Sequence, residues 1–480
     1  MLDILRTFFR GCLVTASLAV FAAGPHTHAA EVLDYVQAER QPSTQIADTL
    51  WRLAELGYLE HNSSKTLQNY LAEREFIIEQ GVADIPTAFV ATYGRGGPTI
   101  ALLAEFDALP GLNQAAVPTR SVEKEGAPGH ACGHHLFGAA SVAAASALAS
   151  WLDAAGVAAT IKLVGTPAEE GGSGKVYLAR AGVFDDVDVV LHWHPSDRNS
   201  ASPSSSTANK SGRFTFRGRA AHAASAPDRG RSALDGVEAM NYMVNLMREH
   251  VPQMSRIHYV ITDGGDAPNI VPEQAQVYYY VRHPKPSRVK SLFKRVVKAA
   301  EAAAMGTETE VSVEVMHGNY PVLPNHTLAR VVHENLVALG GVDYDQAEQT
   351  FAENIQASFQ IPRLPLGSEQ QVQPYAFRQG MGSTDVGDVS WLVPTVGFTT
   401  ATWVPGTSAH SWQAVAAGGM SIGHKGMHLA TKLLAQTAVD LIQSPSLITA
   451  ATEELERSQG PDFKYAALLG DRQPPLDYRR

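Results

Sequence analysis

The sequence predicts an α/β fold in which a wound sheet is split by an inserted unit of ferredoxin-like order. Three observations carry this. From residue 99 apolar strand-like runs alternate with helical stretches, the pattern of a wound sheet. After the serine-rich stretch Ser202-Pro-Ser-Ser-Ser206 the order becomes β-α-β-β-α-β over about a hundred residues. Beyond Pro321-Val-Leu-Pro324 the first alternation resumes, so the middle unit interrupts a discontinuous outer domain.

Taken in chain order, 99–104 is an unbroken apolar run of strand length, followed by an alanine-rich helix over 136–151, a strand at 160–164, a short helix at 175–181 and a strand at 187–193. The insertion reads as strands at 213–216, 256–262, 276–281 and 310–316, with helices at 232–250 and 287–303. A long helix over 425–441 follows, and the polar, proline-containing tail after Gly460 is expected to be loosely held. These readings place a first segment of the outer domain at 31–206, an inserted unit at 207–320, a second segment of the outer domain at 321–445 and a tail at 446–480.

Composition bounds the chemistry. Of 480 residues 45% are hydrophobic and 18% charged, a globular profile that argues against disorder or a fibrous repeat. The formal net charge of −10 opposes attraction to nucleic acid or an anionic membrane, so a small-molecule or peptide substrate is expected and a nucleic-acid partner is not. At the start, Arg6 and Arg10 precede an apolar run from Cys12 to Gly24, with small residues after it. Residues 1–30 therefore read as a cleavable signal peptide, and the protein as exported, periplasmic or secreted, with no stable membrane anchor. Cleavage leaves Cys132 as the one cysteine, a thiol that metal ligation would protect.

The polar clusters fall where predicted strands end. Glu105 and Asp107 lie two apart and share one side of an extended segment. Gly129-His-Ala-Cys-Gly-His-His135 packs three histidines and Cys132 into six consecutive positions, the soft ligand types divalent metals prefer; alternation favours Cys132 and His134 over His130 and His135. In Gly165-Thr-Pro-Ala-Glu-Glu-Gly-Gly-Ser-Gly174 adjacent carboxylates diverge, so one can bind metal while the other faces a water, the division of labour metal-assisted hydrolysis needs. A strand ends in Leu191-His-Trp-His-Pro195, where either imidazole suits a ligand, and His410 follows far downstream.

Together, Ala104-Glu-Phe-Asp-Ala-Leu109, Gly129-His-Ala-Cys-Gly-His134, Glu169-Glu-Gly-Gly-Ser-Gly-Lys175, Trp193-His-Pro195, Ser383-Thr-Asp-Val-Gly-Asp-Val-Ser-Trp391 and Ser421-Ile-Gly-His-Lys-Gly-Met427 resemble the metallo-amidohydrolases of the aminoacylase and carboxypeptidase family, in order over roughly residues 45–445. The resemblance implies two divalent metal ions, zinc or manganese, with Cys132 bridging and His134, Glu170, His194 and His410 as further ligands. It implies Glu169 as general base and Asp107 orienting a ligand; related branches place a metal-binding histidine where Glu105 stands. His194 is preferred to His192 because Trp-His-Pro is the matching string. In the insertion, Arg219-Ala-Ala-His-Ala-Ala-Ser225, Ala267-Pro-Asn-Ile-Val-Pro272 and Tyr280-Val-Arg-His-Pro284 resemble substrate-contacting segments. His222 would polarise the scissile carbonyl, from a neighbouring subunit of a homodimer, while Asn269 and Arg282 would bind the substrate carboxylate. The segment from Arg52 to Ser63 departs from the family's His-Pro-Glu pattern and, lying outside the metal clusters, is expected to bear on substrate or oligomer details.

The expected activity is metal-dependent hydrolysis of the amide bond in N-acyl or N-aroyl amino acid conjugates such as p-aminobenzoyl-glutamate. The alternatives are an exported dipeptidase or carboxypeptidase, and a non-catalytic periplasmic binding protein for such conjugates. Pure binding has no use for a general base, which weighs against the last.

Overall fold

The computed structural model describes residues 25–361 and 364–479. Residues 1–24, which hold the apolar run of the expected signal peptide, lie outside the described residues. In chain order the strands are β1 (Ile77–Gln80), β2 (Phe89–Gly94), β3 (Thr99–Ala104), β4 (Thr160–Gly165), β5 (Val189–Ser196), β6 (Ser204–Ser205), β7 (Ala208–Arg217), β8 (Arg256–Asp263), β9 (Gln274–His283), β10 (Glu310–Asn319), β11 (Arg378–Gln379) and β12 (Thr395–Ala401).

A mixed six-stranded sheet runs in the order β1-β2-β4-β3-β5-β12. Its four strands from β4 to β12 are mutually parallel, while β2 joins β4, and β1 joins β2, antiparallel. Parallel strands are covered on both faces and read as continuous apolar runs. That is why Ile100 to Ala104 are all fully buried and why 99–104 was legible. The helix His134–Ala155 packs on β3, β4 and β5, and the helix Ser421–Gln443 packs against it in turn. The first of these is apolar and long enough to cross a membrane, but 94% of its apolar window is buried inside the fold, as a core helix.

The second sheet, β10-β7-β9-β8, is antiparallel throughout. The helices Ala233–Met247 and Pro286–Thr307 cover it. Alternation sets its two faces: Ala275, Val277, Tyr279 and Val281 on β9 and Phe214 and Phe216 on β7 are buried with the helices, whereas their neighbours are less so. Strand β8 lies at the edge and exposes Tyr259, Val260 and Ile261.

Two expectations are corrected. The outer fold begins before residue 99, with the helices Arg40–Leu53 and His61–Ala72, the edge strand β1 and β2 beside it; four exposed or half-exposed residues in β1 give too little apolar signal to read. The tail is not loose. It forms the helix Pro445–Gln459 and then a packed segment in which Leu468 and Leu469 are 2% and 3% exposed.

Candidate metal centre

The parallel strands deliver their polar ends to one place. Glu105 and Asp107 follow β3, Glu169 and Glu170 follow β4, His194 lies near the end of β5, and His410 follows β12. Ligands gather in such sheets outside the carboxyl ends of the strands. Cys132 and His134 enter from the start of the helix His134–Ala155, where Gly133 takes φ 79° and a side chain there would collide with Pro195.

Donor atoms of Cys132, His134 and His194 lie within 4.8 Å of one another, and so do those of Cys132, Glu170 and His410. Cys132 belongs to both groups. A third group joins Glu105, His134 and Glu169. His134 is gripped from both sides: Nδ1 donates to Asp107 Oδ1 at 2.8 Å, and Nε2 lies 3.0 Å from Glu105 Oε2. Asp107 Oδ2 also accepts the Glu170 backbone N–H at 2.9 Å, so one buried carboxylate orients two of the implied ligands. His194 Nδ1–H donates to the Pro195 carbonyl at 2.7 Å, which turns Nε2 to within 3.4 Å of Cys132 Sγ. His192 lines the same cleft against Gly397 but belongs to none of the donor groups. His410, in left-handed backbone at φ 60°, is fastened to the cysteine loop by its N–H on the Ala131 carbonyl at 2.9 Å.

Three buried atoms here, Glu105 Oε2, His134 Nε2 and Glu170 Oε1, make no aligned hydrogen bond. His134 Nε2 and Glu105 Oε2 approach each other, and His410 Nε2 comes to 3.0 Å of Glu170 Oε1, without hydrogen-bond alignment. Unpaired buried polar atoms are rare and costly, and a thiol, three imidazoles and carboxylates converging this way fit divalent cations.

The electrostatics agree. Burial pushes the Cys132 thiol and the Glu169 carboxyl well up, and Glu105 and Glu170 push Glu169 further. Burial alone would depress His134, but Cys132, Glu105 and Asp107 outweigh it and raise it well above the usual range. Burial lowers His194 to about 4, with His134 adding to the effect, so it stays neutral. Each of these costs reverses when positive charge enters, because a cation stabilises thiolate and carboxylate and replaces the imidazole proton.

Several residues reach the site that sequence reasoning did not give a role. Lys175, fully buried, sets Nζ 2.7 Å from Glu105 Oε1 and 2.9 Å from Asp385 Oδ1, and its own N–H donates to Asp385 Oδ2. Both residues stood inside motifs quoted for the resemblance; their pairing had no local signal. The segment 52–63 reaches the site as well and braces the glutamate turn, Tyr58 Oη donating to the Gly172 carbonyl at 2.7 Å and Glu60 Oε1 accepting the Ala168 N–H at 2.8 Å.

The residues assigned to substrate lie apart. His222 and Asn269 are exposed and sit side by side across a bridge between His222 and Ile270, outside the lining of the cleft. Arg282 is half-buried with its guanidinium over the Tyr280 ring.

Comparison with known proteins adds the lineage. The model of peptidase family M20/M25/M40 matches residues 101–365. The chain is 39% identical over 450 residues to a p-aminobenzoyl-glutamate hydrolase subunit from Escherichia coli, covering 88% of this chain and 93% of that protein. It is 31% identical over 426 residues to the Xaa-Arg dipeptidase of Mus musculus, covering 86% and 88%. The crystal structure of a dinuclear metal-binding peptidase of family M20 from Bacillus subtilis superposes with a TM-score of 0.58 at 19% identity, over 85% of this chain and 99% of that one, and shows the same fold. A family match over more than half the chain and a relative matched along nearly its whole length lead to one conclusion: the chain is a hydrolase belonging to peptidase family M20/M25/M40.

Proposed function

We propose that this chain hydrolyses the amide bond between an acyl or aroyl group and an amino acid, with p-aminobenzoyl-glutamate as the first substrate to test. The observation that carries the reading is the Glu169-Glu170 pair within the donor cluster, on a chain 39% identical to a hydrolase of that name. In this reading Cys132, His134, Glu170, His194 and His410 would hold two divalent ions, zinc or manganese, Cys132 being common to both donor groups. Bound there, the ions would polarise the scissile carbonyl and acidify a water. Glu169, facing the same cleft, takes the proton of the attacking water and returns it to the leaving amine nitrogen. Asp107 keeps His134 in one tautomer. The cleft, about 660 Å³, continues from Glu169 and His410 past Val322, Pro324, Val396 and Phe398, apolar walls suited to an aromatic acyl group.

The inserted unit, of ferredoxin-like order, serves as lid and dimer contact. His222 Nδ1 accepts N–H bonds from Ala224 and Ser225 at 3.2 and 3.1 Å, so the neutral ring carries its proton on Nε2, ready to donate to a carbonyl oxygen. Being exposed and away from the cleft, it serves a site only after closure or from a second copy. The edge strand β8, with Tyr259, Val260 and Ile261, and the exposed Tyr242 and Leu246 of the adjoining helix supply an apolar face for a homodimer. Asn269 and Arg282 bind the substrate carboxylate. The signal-like residues 1–30 support export, to the periplasm or beyond.

Dipeptide hydrolysis is the second reading, favoured by the murine relative. Turnover of p-aminobenzoyl-glutamate and of Xaa-Arg dipeptides, each with and without chelator, separates the two. Chelator-sensitive release of p-aminobenzoate is the expected result; dipeptide cleavage alone would replace it, and hydrolysis of neither would overturn both substrate readings.

A further inference from the structure

The C-terminal tail crosses from one unit to the other before it reaches the glutamate turn. Adjacent residues enter different cores: Leu468 is buried with the four-stranded sheet and Leu469 with the six-stranded one. Lys210 Nζ, on β7, donates to the Leu468 carbonyl at 2.6 Å, while Arg180 of the outer domain donates to the Gly470 and Arg472 carbonyls, both at 2.8 Å. Anchored on both sides, the chain then runs to Glu170. Its carbonyl accepts two bonds, from Tyr478 Oη at 3.0 Å and from an Arg479 guanidinium N–H at 2.8 Å. The Tyr478 ring also stands edge-on to Tyr58, 5.6 Å between centroids.

That turn cannot hold its own shape. Ala168 and Ser173 flank it in left-handed backbone at φ 58° and 62°, Gly171 takes φ 88°, and Glu170 itself has ψ 68°, outside the helical range. Non-glycine residues at positive φ persist only where surroundings over-determine them. Asp107, Glu60 and Tyr58 brace the turn from inside the outer domain through the Glu170 N–H, the Ala168 N–H and the Gly172 carbonyl. The Glu170 carbonyl is left to the tail.

We propose that Tyr478 and Arg479 are positioning residues, and that the tail is a strap which sets where the carboxylates of Glu169 and Glu170 lie. The inference rests on the hydrolytic reading for its kinetic consequence but not for its structural one. The test is the full-length chain carrying Tyr478→Phe and Arg479→Gln together, read by steady-state kinetics on p-aminobenzoyl-glutamate and by backbone hydrogen exchange. Small misplacement of reacting groups costs up to ~100-fold in rate, so kcat is expected to fall roughly 10- to 100-fold with KM within about twofold. Exchange over 168–173 should quicken while the rest of the chain is unchanged, and Arg479→Lys alone should keep most activity. Wild-type kcat with wild-type exchange in the turn would overturn the proposal. So would faster exchange throughout the chain, which would make the tail a general stabiliser. If wild-type protein does not cleave the conjugate, the functional reading fails and the exchange data still decide this one.

Discussion

Replacing Lys175 by methionine tests the architecture of the site without touching an implied metal ligand. The ammonium sits 2.7 Å from Glu105 and 2.9 Å from Asp385, and all three side chains are 2% exposed or less. Methionine fills most of the volume and removes the charge, leaving Asp385 and Glu105 buried without the ammonium they share. Breaking a buried ion pair from one side costs about 3–5 kcal/mol, against about 0–1 for a surface pair. At roughly 2 °C per kcal/mol for a unit of this size, the melting temperature should fall by about 6–10 °C. The loss should depend on pH. Burial already raises both carboxyls, with Lys175 pulling them back, so its removal lifts them further. A carboxyl whose folded pKa exceeds its unfolded value binds more protons in the folded state, and stability then falls as pH rises. The deficit of Lys175→Met should therefore be largest near pH 8, shrink toward pH 5, and be partly recovered by adding Asp385→Asn. Urea denaturation of wild type, single and double variants at both pH values is the assay. A deficit under about 1 kcal/mol, or one indifferent to pH, would refute the view that this ion triad is held together by its central charge.

Glu169→Gln should retain bound metal and lose about 10²–10⁴-fold in rate, whereas Glu170→Gln should lose metal; identical metal content in both variants would undo the division between them. Cys132 should react with thiol reagents much faster in chelator-treated protein than in the metal-loaded form, and equal rates would make it an ordinary buried thiol. Mixed His222→Ala and Glu169→Gln chains, dissociated and reassociated, should regain activity beyond the sum of the parents if His222 serves the neighbouring site. A monomer by light scattering would end that idea first.

Local chemistry made most of the donor cluster readable. Cys132 and His134 are two apart in one loop, Glu169 and Glu170 are adjacent, and each lies beside an apolar run whose length marks it as a strand or a helix. The histidines of β5 show where this stops. His192 and His194 are two apart, so the pleat sends both to one face, and periodicity cannot choose between them. Only the packing of β5 between β3 and β12, and the entry of the Cys132 loop, puts His194 within 3.4 Å of the thiol.

By itself the sequence determined the α/β alternation, the β-α-β-β-α-β order of the elements around the four-stranded sheet and the residue types at the strand ends, because periodicity and ligand chemistry act over a few residues. Tertiary structure alone decided that Lys175 is clasped by Glu105 and Asp385, 70 and 210 positions away, that Tyr58 and Glu60 brace the glutamate turn, and that Tyr478 and Arg479 return to Glu170 across 308 and 309. These contacts join segments whose local patterns carry no trace of each other. They form because desolvated charges and buried carbonyls must find partners, and the closed fold determines which partners are within reach.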